Sequence, residues 1–138
     1  MNKILNLIML VDDDLTTNLY NEIIIQDLNI TDEIEVFQNG KLALDYLTTL
    51  NEEGKYPQPE ILFLDINMPI MNGWEFLEQH DKLQQNQKAI IILAMLTSSV
   101  NPEDKVRALK FNSVKEFINK PLIEENLEEL IIKYFKDR

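Results

Sequence analysis

The sequence predicts an α/β domain built on one parallel sheet of five strands with helices on both faces. Three observations carry that expectation. Short apolar runs alternate with amphipathic stretches along the chain, with no repeat and no low-complexity tract. Three of the runs, LNLIMLV, ILFL and IIILAML, are nearly continuous in apolar residues, as parallel strands covered on both faces must be. With 138 residues, 45% of them apolar, the chain can bury one core of ordinary size.

The elements follow in order. The first strand is read at Leu5–Val11, and a helix follows in which Leu15, Leu19, Ile23 and Ile24 recur at helical spacing before Leu28. A second strand spans Ile34–Phe37. After the Asn39–Gly40 turn, Leu42, Leu44, Tyr46 and Leu47 mark the second helix. The two prolines of the loop Asn51–Pro59 (NEEGKYPQP) end that helix before the third strand, Ile61–Leu64. Gly73 precedes Trp74, Phe76 and Leu77 of a third helix, and the fourth strand is read at Ile90–Leu96. Pro102 suits the first turn of a fourth helix carrying Val106, Leu109 and Lys110. A fifth strand, Lys115–Ile118, leads to a last helix striped with Leu127, Leu130, Ile131, Tyr134 and Phe135. Right-handed crossovers leave few arrangements for such a chain, and the flavodoxin-like strand order 2-1-3-4-5 is the natural one at this size. No interdomain linker interrupts residues 1–138, so a single domain without an effector domain is expected.

Composition narrows the function. Twenty-four acids against 13 bases leave a net charge of -11, which disfavours nucleic acid and anionic lipid as partners. No apolar run reaches the roughly 20 residues a membrane helix needs. The opening MNKILNLIMLVDDD has the look of a short signal peptide, but its apolar part runs straight into acids with no small-residue cleavage site. It reads instead as the first strand of a cytoplasmic protein. The absence of cysteine excludes disulfides and thiolate metal sites, and the single histidine argues against structural zinc. That histidine, His80 in EQHDKLQQ, reads as solvated, and Trp74 as packed on its own helix.

The chemistry lies at the strand ends. The first strand runs into Asp12, Asp13 and Asp14, and adjacent like charges repel by roughly 1 kcal/mol even in water. Taken alone, the acids are equally a solvated helix cap. In the 2-1-3-4-5 order, however, Asp12 and Asp13 share the carboxyl edge of the sheet with three residues from other strand ends. These are Asp65 after ILFL, Thr97 after IIILAML, and Lys120 just past VKEFI. Carboxylates brought that close force at least one pKa upward unless a cation neutralises them. An all-oxygen set suits a hard divalent ion, most plausibly Mg²⁺. A carboxylate beside Mg²⁺ and a lysine is poised to attack phosphorus.

Together VDDD, LDINMP, the hydroxyl in LTSS and NKP resemble the receiver domain of bacterial response regulators, over essentially the whole chain from Asn6 to Phe135. The resemblance implies a CheY-like phosphorylation switch in a two-component phosphorelay. Asp65 would accept a phosphoryl group from a histidine kinase or a His-containing phosphotransfer protein. Asp13 would bind Mg²⁺ directly, Asp12 largely through water, and Asn67 through its backbone carbonyl. Thr97 and Lys120 would contact the phosphoryl group, with a cis Lys120–Pro121 bond, and Ser98 would leave access to the acceptor. Phe117 matches the switch aromatic, although it is equally compatible with plain core. The output face would be the fourth helix, fifth strand and fifth helix, and the protein would be a monomer or a phosphorylation-dependent dimer. Asp14 falls outside the essential pair and suits a helix cap.

The resemblance has departures and rivals. FNSVKEF has no glycine before the fifth strand, and Asn112 is its expected substitute at a left-handed position. Asn72 stands where Asp is usual before Gly73, and Ser99 occupies a position that tunes dephosphorylation in the family. Ser98 and Ser99 sit beside Thr97, so a one-residue shift would exchange their roles. Lys120 alone would read as a surface lysine. The rival enzyme is a haloacid-dehalogenase-type phosphohydrolase, but that reaction needs an acid where this chain has Asn67, which cannot protonate a leaving group. A non-phosphorylated pseudo-receiver is the other alternative. Nucleotide or flavin binding lacks a glycine-rich loop.

Overall fold

The computed structural model describes residues 4–89, 92–98 and 101–138. Ten main elements alternate: β1 (Leu5–Val11), α1 (Leu15–Leu28), β2 (Thr31–Phe37), α2 (Gly40–Leu47), β3 (Ile61–Leu64), α3 (Gly73–Asp81), β4 (Ile92–Thr97), α4 (Pro102–Leu109), β5 (Val114–Asn119) and α5 (Glu124–Tyr134). The strands form one parallel sheet in the order β2-β1-β3-β4-β5, as expected.

Strand side chains alternate between the two faces, so each strand feeds two cores. Met9 and Val11 of β1 join Leu62 and Leu64 of β3 on the face covered by Ala43 and Leu47 of α2, Phe76 and Leu77 of α3, and Ala108 of α4. Ile8 and Leu10 join Ile61 and Phe63 on the other face, under Ile25 of α1 and Leu127 and Leu130 of α5. Each of the larger side chains here, the fully buried Leu, Ile, Val, Phe and Met, contributes about 1.5–3 kcal/mol relative to exposure. Because all five strands run parallel, their carboxyl ends lie on one edge.

Strands β1 and β3 have the expected bounds. Strand β2 begins at Thr31, three residues before Ile34, because it is an edge strand. Its polar Thr31 and Glu33 pair through backbone with Leu5 and Leu7, a role that needs no apolar side chain. Strand β4 reaches Thr97, while Ile90 and residue 91 lie outside the described residues. Strand β5 gains one residue at each end of the expected span.

Helix α1 buries only part of its sequence stripe, Ile24 and Leu28, which pack on the core beside Ile25. Asn18, Asn21 and Ile25 are buried, whereas Leu15, Leu19 and Ile23 are 64%, 60% and 48% exposed. Two polar bonds go with that rotation: Asp14 caps the helix by accepting from Thr16 N at 3.1 Å, and Asn18 Nδ2 donates to the Asp12 carbonyl at 2.8 Å.

His80 is fully buried, contrary to the solvated reading. It follows Phe76 and Leu77 by four and three residues and therefore shares their inner face of α3, whatever its sequence neighbours are. Trp74 packs at the edge of the core under the guanidinium of Arg107 from α4, 4.1 Å from its ring centroid, and not merely on its own helix. Asn112 is not left-handed: the chain leaves α4 through right-handed turns, with Phe111 N donating to Ala108 O and Val114 N to Phe111 O, both at 3.1 Å. Asn72 closes a reciprocal cap with Glu75 at the start of α3. The reading of Ser99 falls outside the described residues. Among those described, no helix is long and apolar enough to cross a membrane.

One buried carboxylate had no signal in the sequence pattern. Glu60, just before β3 at the opposite edge of the sheet, accepts from Asn6 N and Leu7 N at 3.0 Å and pairs with the guanidinium of Arg138.

Candidate functional site

Three strand ends, those of β1, β3 and β5, carry the charged groups of the pocket. Asp12 leaves β1 with its amide donating to Phe37 O of β2 at 3.0 Å, and its Oδ1 accepts from Asp14 N at 2.9 Å, closing a tight turn over α1. Asp65 leaves β3 with its amide donating to Val11 O at 2.9 Å. Lys120 follows β5, and its amide donates to Thr97 O at 2.7 Å, tying the ends of β4 and β5 together. The Lys120–Pro121 peptide is cis, as expected.

Gly73 sets how closely α3 approaches this edge. Its amide donates to Ile66 O at 2.7 Å, and a Cβ on it would lie 2.6 Å from Asp65 O and 2.7 Å from Ile66 Cα. Only a glycine lets the helix start flush against the peptide that carries Asp65.

The side chains converge. Lys120 Nζ donates to Asp12 Oδ2 at 2.6 Å and stands 3.4 Å from Asp65 Oδ1. One carboxylate oxygen each from Asp12, Asp13 and Asp65 lie within 4.8 Å of one another. Asp12 and Asp65 are buried, whereas Asp13 is exposed at the rim. Burial first, and then the Asp12 charge, push the Asp65 carboxyl up to about 6. Burial works against the Lys120 ammonium too, but the hydrogen bond and charge of Asp12 outweigh it and hold its pKa above the usual value. Three carboxylates face one ammonium at this edge, so their charge is only partly balanced.

Thr97 is buried at the end of β4, Ser98 is exposed beside it, and Asn67 is exposed two residues after Asp65. Phe117 is half-buried on the core that holds Met95, Ala108 and Val114. Of the groups read at the strand ends, Asp12, Asp13, Asp65 and Lys120 meet in one cluster, while Asn18 and the packing role of Gly73 had no signal in the sequence. Asn18 lies four residues after the Asp14 cap, a position that alone does not tell inside from outside.

The donor set is all oxygen, under-neutralised and open on the Asp13 side, which fits a hard divalent cation such as Mg²⁺. It is an acidic pocket of the kind at which receiver domains bind that ion.

Known proteins match most of the chain. Residues 8–132 match the family model for the response regulator receiver domain. A probable methanogenesis regulatory protein, FilR2, of Methanothrix harundinacea is 32% identical over 125 residues, covering 91% of this chain and 78% of that protein. A protein-glutamate methylesterase/protein-glutamine glutaminase of Desulfotalea psychrophila is 37% identical over 119 residues, but this chain spans only 29% of its length. Among solved structures, a two-component response regulator from Cytophaga hutchinsonii superposes with a TM-score of 0.83 at 32% identity, covering 96% of this chain and 97% of that one. A receiver protein from Dyadobacter fermentans gives 0.78 at 26% identity, covering 92% and 95%. Nothing among these likenesses supports a haloacid dehalogenase. The fold, the strand-end acids and these likenesses agree, and the chain belongs to the response regulator receiver family of two-component signalling.

Proposed function

We propose that this receiver takes its phosphoryl group on Asp65, from a phosphohistidine of a histidine kinase or a phosphotransfer protein. A carboxylate oxygen of Asp65 bonds to phosphorus as the donor's P–N bond breaks, and the imidazole leaves with the bonding pair and takes up a proton from solvent. Asp12, Asp13, Asp65 and the Asn67 backbone carbonyl are the residues that would hold Mg²⁺. When bound, the ion supplies positive charge opposite the phosphoryl oxygens. Lys120 adds charge from the β5 side, and Thr97 offers a hydroxyl to the attached group. Phe117 reports the change by shifting its packing.

The observation that carries this reading is the Lys120 ammonium lying within 2.6 Å of Asp12 and 3.4 Å of Asp65 at one sheet edge. The same pocket would hydrolyse its own aspartyl phosphate, so the product of the chemistry is a conformation. Output would pass to a protein partner on the α4–β5–α5 face, where Val106 and Leu109 are 60% and 45% exposed, or onward by phosphotransfer. The α1 stripe of Leu15, Leu19 and Ile23, which starts at the pocket rim, offers an apolar seat for the donor.

Incubation with acetyl phosphate and Mg²⁺, followed by intact-protein mass spectrometry, tests the chemistry. One acid-labile phosphoryl adduct is expected, and it should vanish in Asp65→Asn. An adduct that survives that substitution rejects Asp65 as the acceptor.

A further inference from the structure

We infer that Asn18 is a positioning residue for the acid pocket, kept on the buried face of α1 to hold the Asp12 peptide and not to stabilise the fold. This rests on the reading of Asp12 and Asp13 as the ion-holding pair. Three observations lead to it. Asn18 and Asn21 are only 3% and 2% exposed, and the Oδ1 of each is buried without a hydrogen-bond partner. Both line the small pocket directly behind Asp12 and Asp65, against the apolar Leu10, Phe63 and Leu96. Meanwhile three large apolar residues of the same helix, Leu15, Leu19 and Ile23, face outward.

For packing alone that arrangement is backwards. A buried amide oxygen with nothing to accept from loses its hydration without replacement, and a leucine of the same branched shape has no such oxygen to desolvate. What Asn18 does make is one buried bond, Nδ2 to the Asp12 carbonyl at 2.8 Å. That carbonyl belongs to the peptide linking Asp12 to Asp13. The Asp12 side chain is already held by Lys120 and by the Asp14 amide, and its own amide by Phe37. Asn18 is thus the tie from α1 that fixes the peptide between the two acids, and with it where Asp13 projects. Asn21, one turn further along, makes no bond to the turn among the described residues, although its burial and its unpaired oxygen are the same. It is the matched control.

The test compares Asn18→Leu with Asn21→Leu in the full chain. Three readouts are used: urea unfolding without metal, amide hydrogen exchange at Asp13 and Asp14 without metal, and Mg²⁺ titration by calorimetry. Neither variant is expected to lower the unfolding midpoint. Only Asn18→Leu should speed Asp13 and Asp14 exchange and weaken Mg²⁺ binding, each roughly threefold to tenfold, the span expected for one net hydrogen bond. Asn18→Ala, which removes the donor without adding bulk, should loosen the same two amides if the leucine variant does not fold. Unchanged exchange in Asn18→Leu or Asn18→Ala, or equal effects from Asn21→Leu, overturns the inference. Wild-type protein that binds no Mg²⁺ would instead count against the ion-holding reading, because the exchange measurement is made without metal.

Discussion

Acidification should unfold this protein partly through its one histidine. His80 is fully buried, stacked on Phe76 at 5.9 Å between ring centroids, and its Nε2 accepts from Ala89 N at 3.3 Å. With Nε2 accepting, the proton of the neutral ring belongs on Nδ1, which is buried without a partner. Burial, and then the Lys88 charge, push its pKa from 6.5 down to about 4, with Asp81 opposing. A base with a lowered folded pKa is protonated first in the unfolded chain, so stability is lost as pH falls from 6.5 through 4. The whole shift is worth about 3 kcal/mol, of which about 2 kcal/mol is gone by pH 5 relative to pH 8. Against a total stability of about 5–15 kcal/mol that is a large loss. Asp65 works in the opposite direction over the same range, because its raised carboxyl favours the folded state in acid. The informative quantity is therefore the difference between wild type and His80→Gln, in which the Asp65 contribution cancels and a side-chain acceptor remains for Ala89. Urea unfolding at pH 8 and pH 5 should show the gap between the two proteins closing by about 2 kcal/mol on acidification. NMR titration of the imidazole is unambiguous with one histidine in the sequence. A gap that does not change with pH, or an imidazole titrating near 6.5, refutes the reasoning.

Gly73→Ala should lose about 1–3 kcal/mol of stability and slow acetyl-phosphate labelling, because the new Cβ meets backbone at 2.6 Å and 2.7 Å and must shift the Asp65 peptide. Unfolding midpoints and labelling rates check it together. Asp65→Asn should stabilise the metal-free protein at pH 7.5 by about 1–3 kcal/mol, since it removes a charge that burial and Asp12 disfavour. The gain should shrink as pH falls through 6 towards 3.8, where the wild-type carboxyl is protonated. Ile70→Asn should add about 1 kcal/mol, because Ile70 is 76% exposed and holds φ at 68°, a left-handed conformation that β-branched side chains resist. Thermal unfolding of that variant is the direct measurement.

The sequence determined this protein's layer plan and which groups share its strand-end edge. Strands covered on both faces must be nearly all apolar, so ILFL and LNLIMLV announced themselves and their bounds. Acids, a hydroxyl and a lysine placed at strand ends have one edge on which to meet, so Asp12, Asp13, Asp65, Thr97 and Lys120 were legible before any coordinates. Where packing alone decides, the pattern misled. The polar start of β2 is a strand because β1 offers it backbone partners, and His80 is interior because Phe76 and Leu77 share its helical face. In α1 the stripe divides: Ile24 and Leu28 pack on the core while Leu15, Leu19 and Ile23 face outward, and Asn18 bonds into the turn ahead of the helix. Sequence periodicity registers side-chain hydrophobicity, whereas a single buried hydrogen bond or the space behind a glycine exists only once distant segments are brought together.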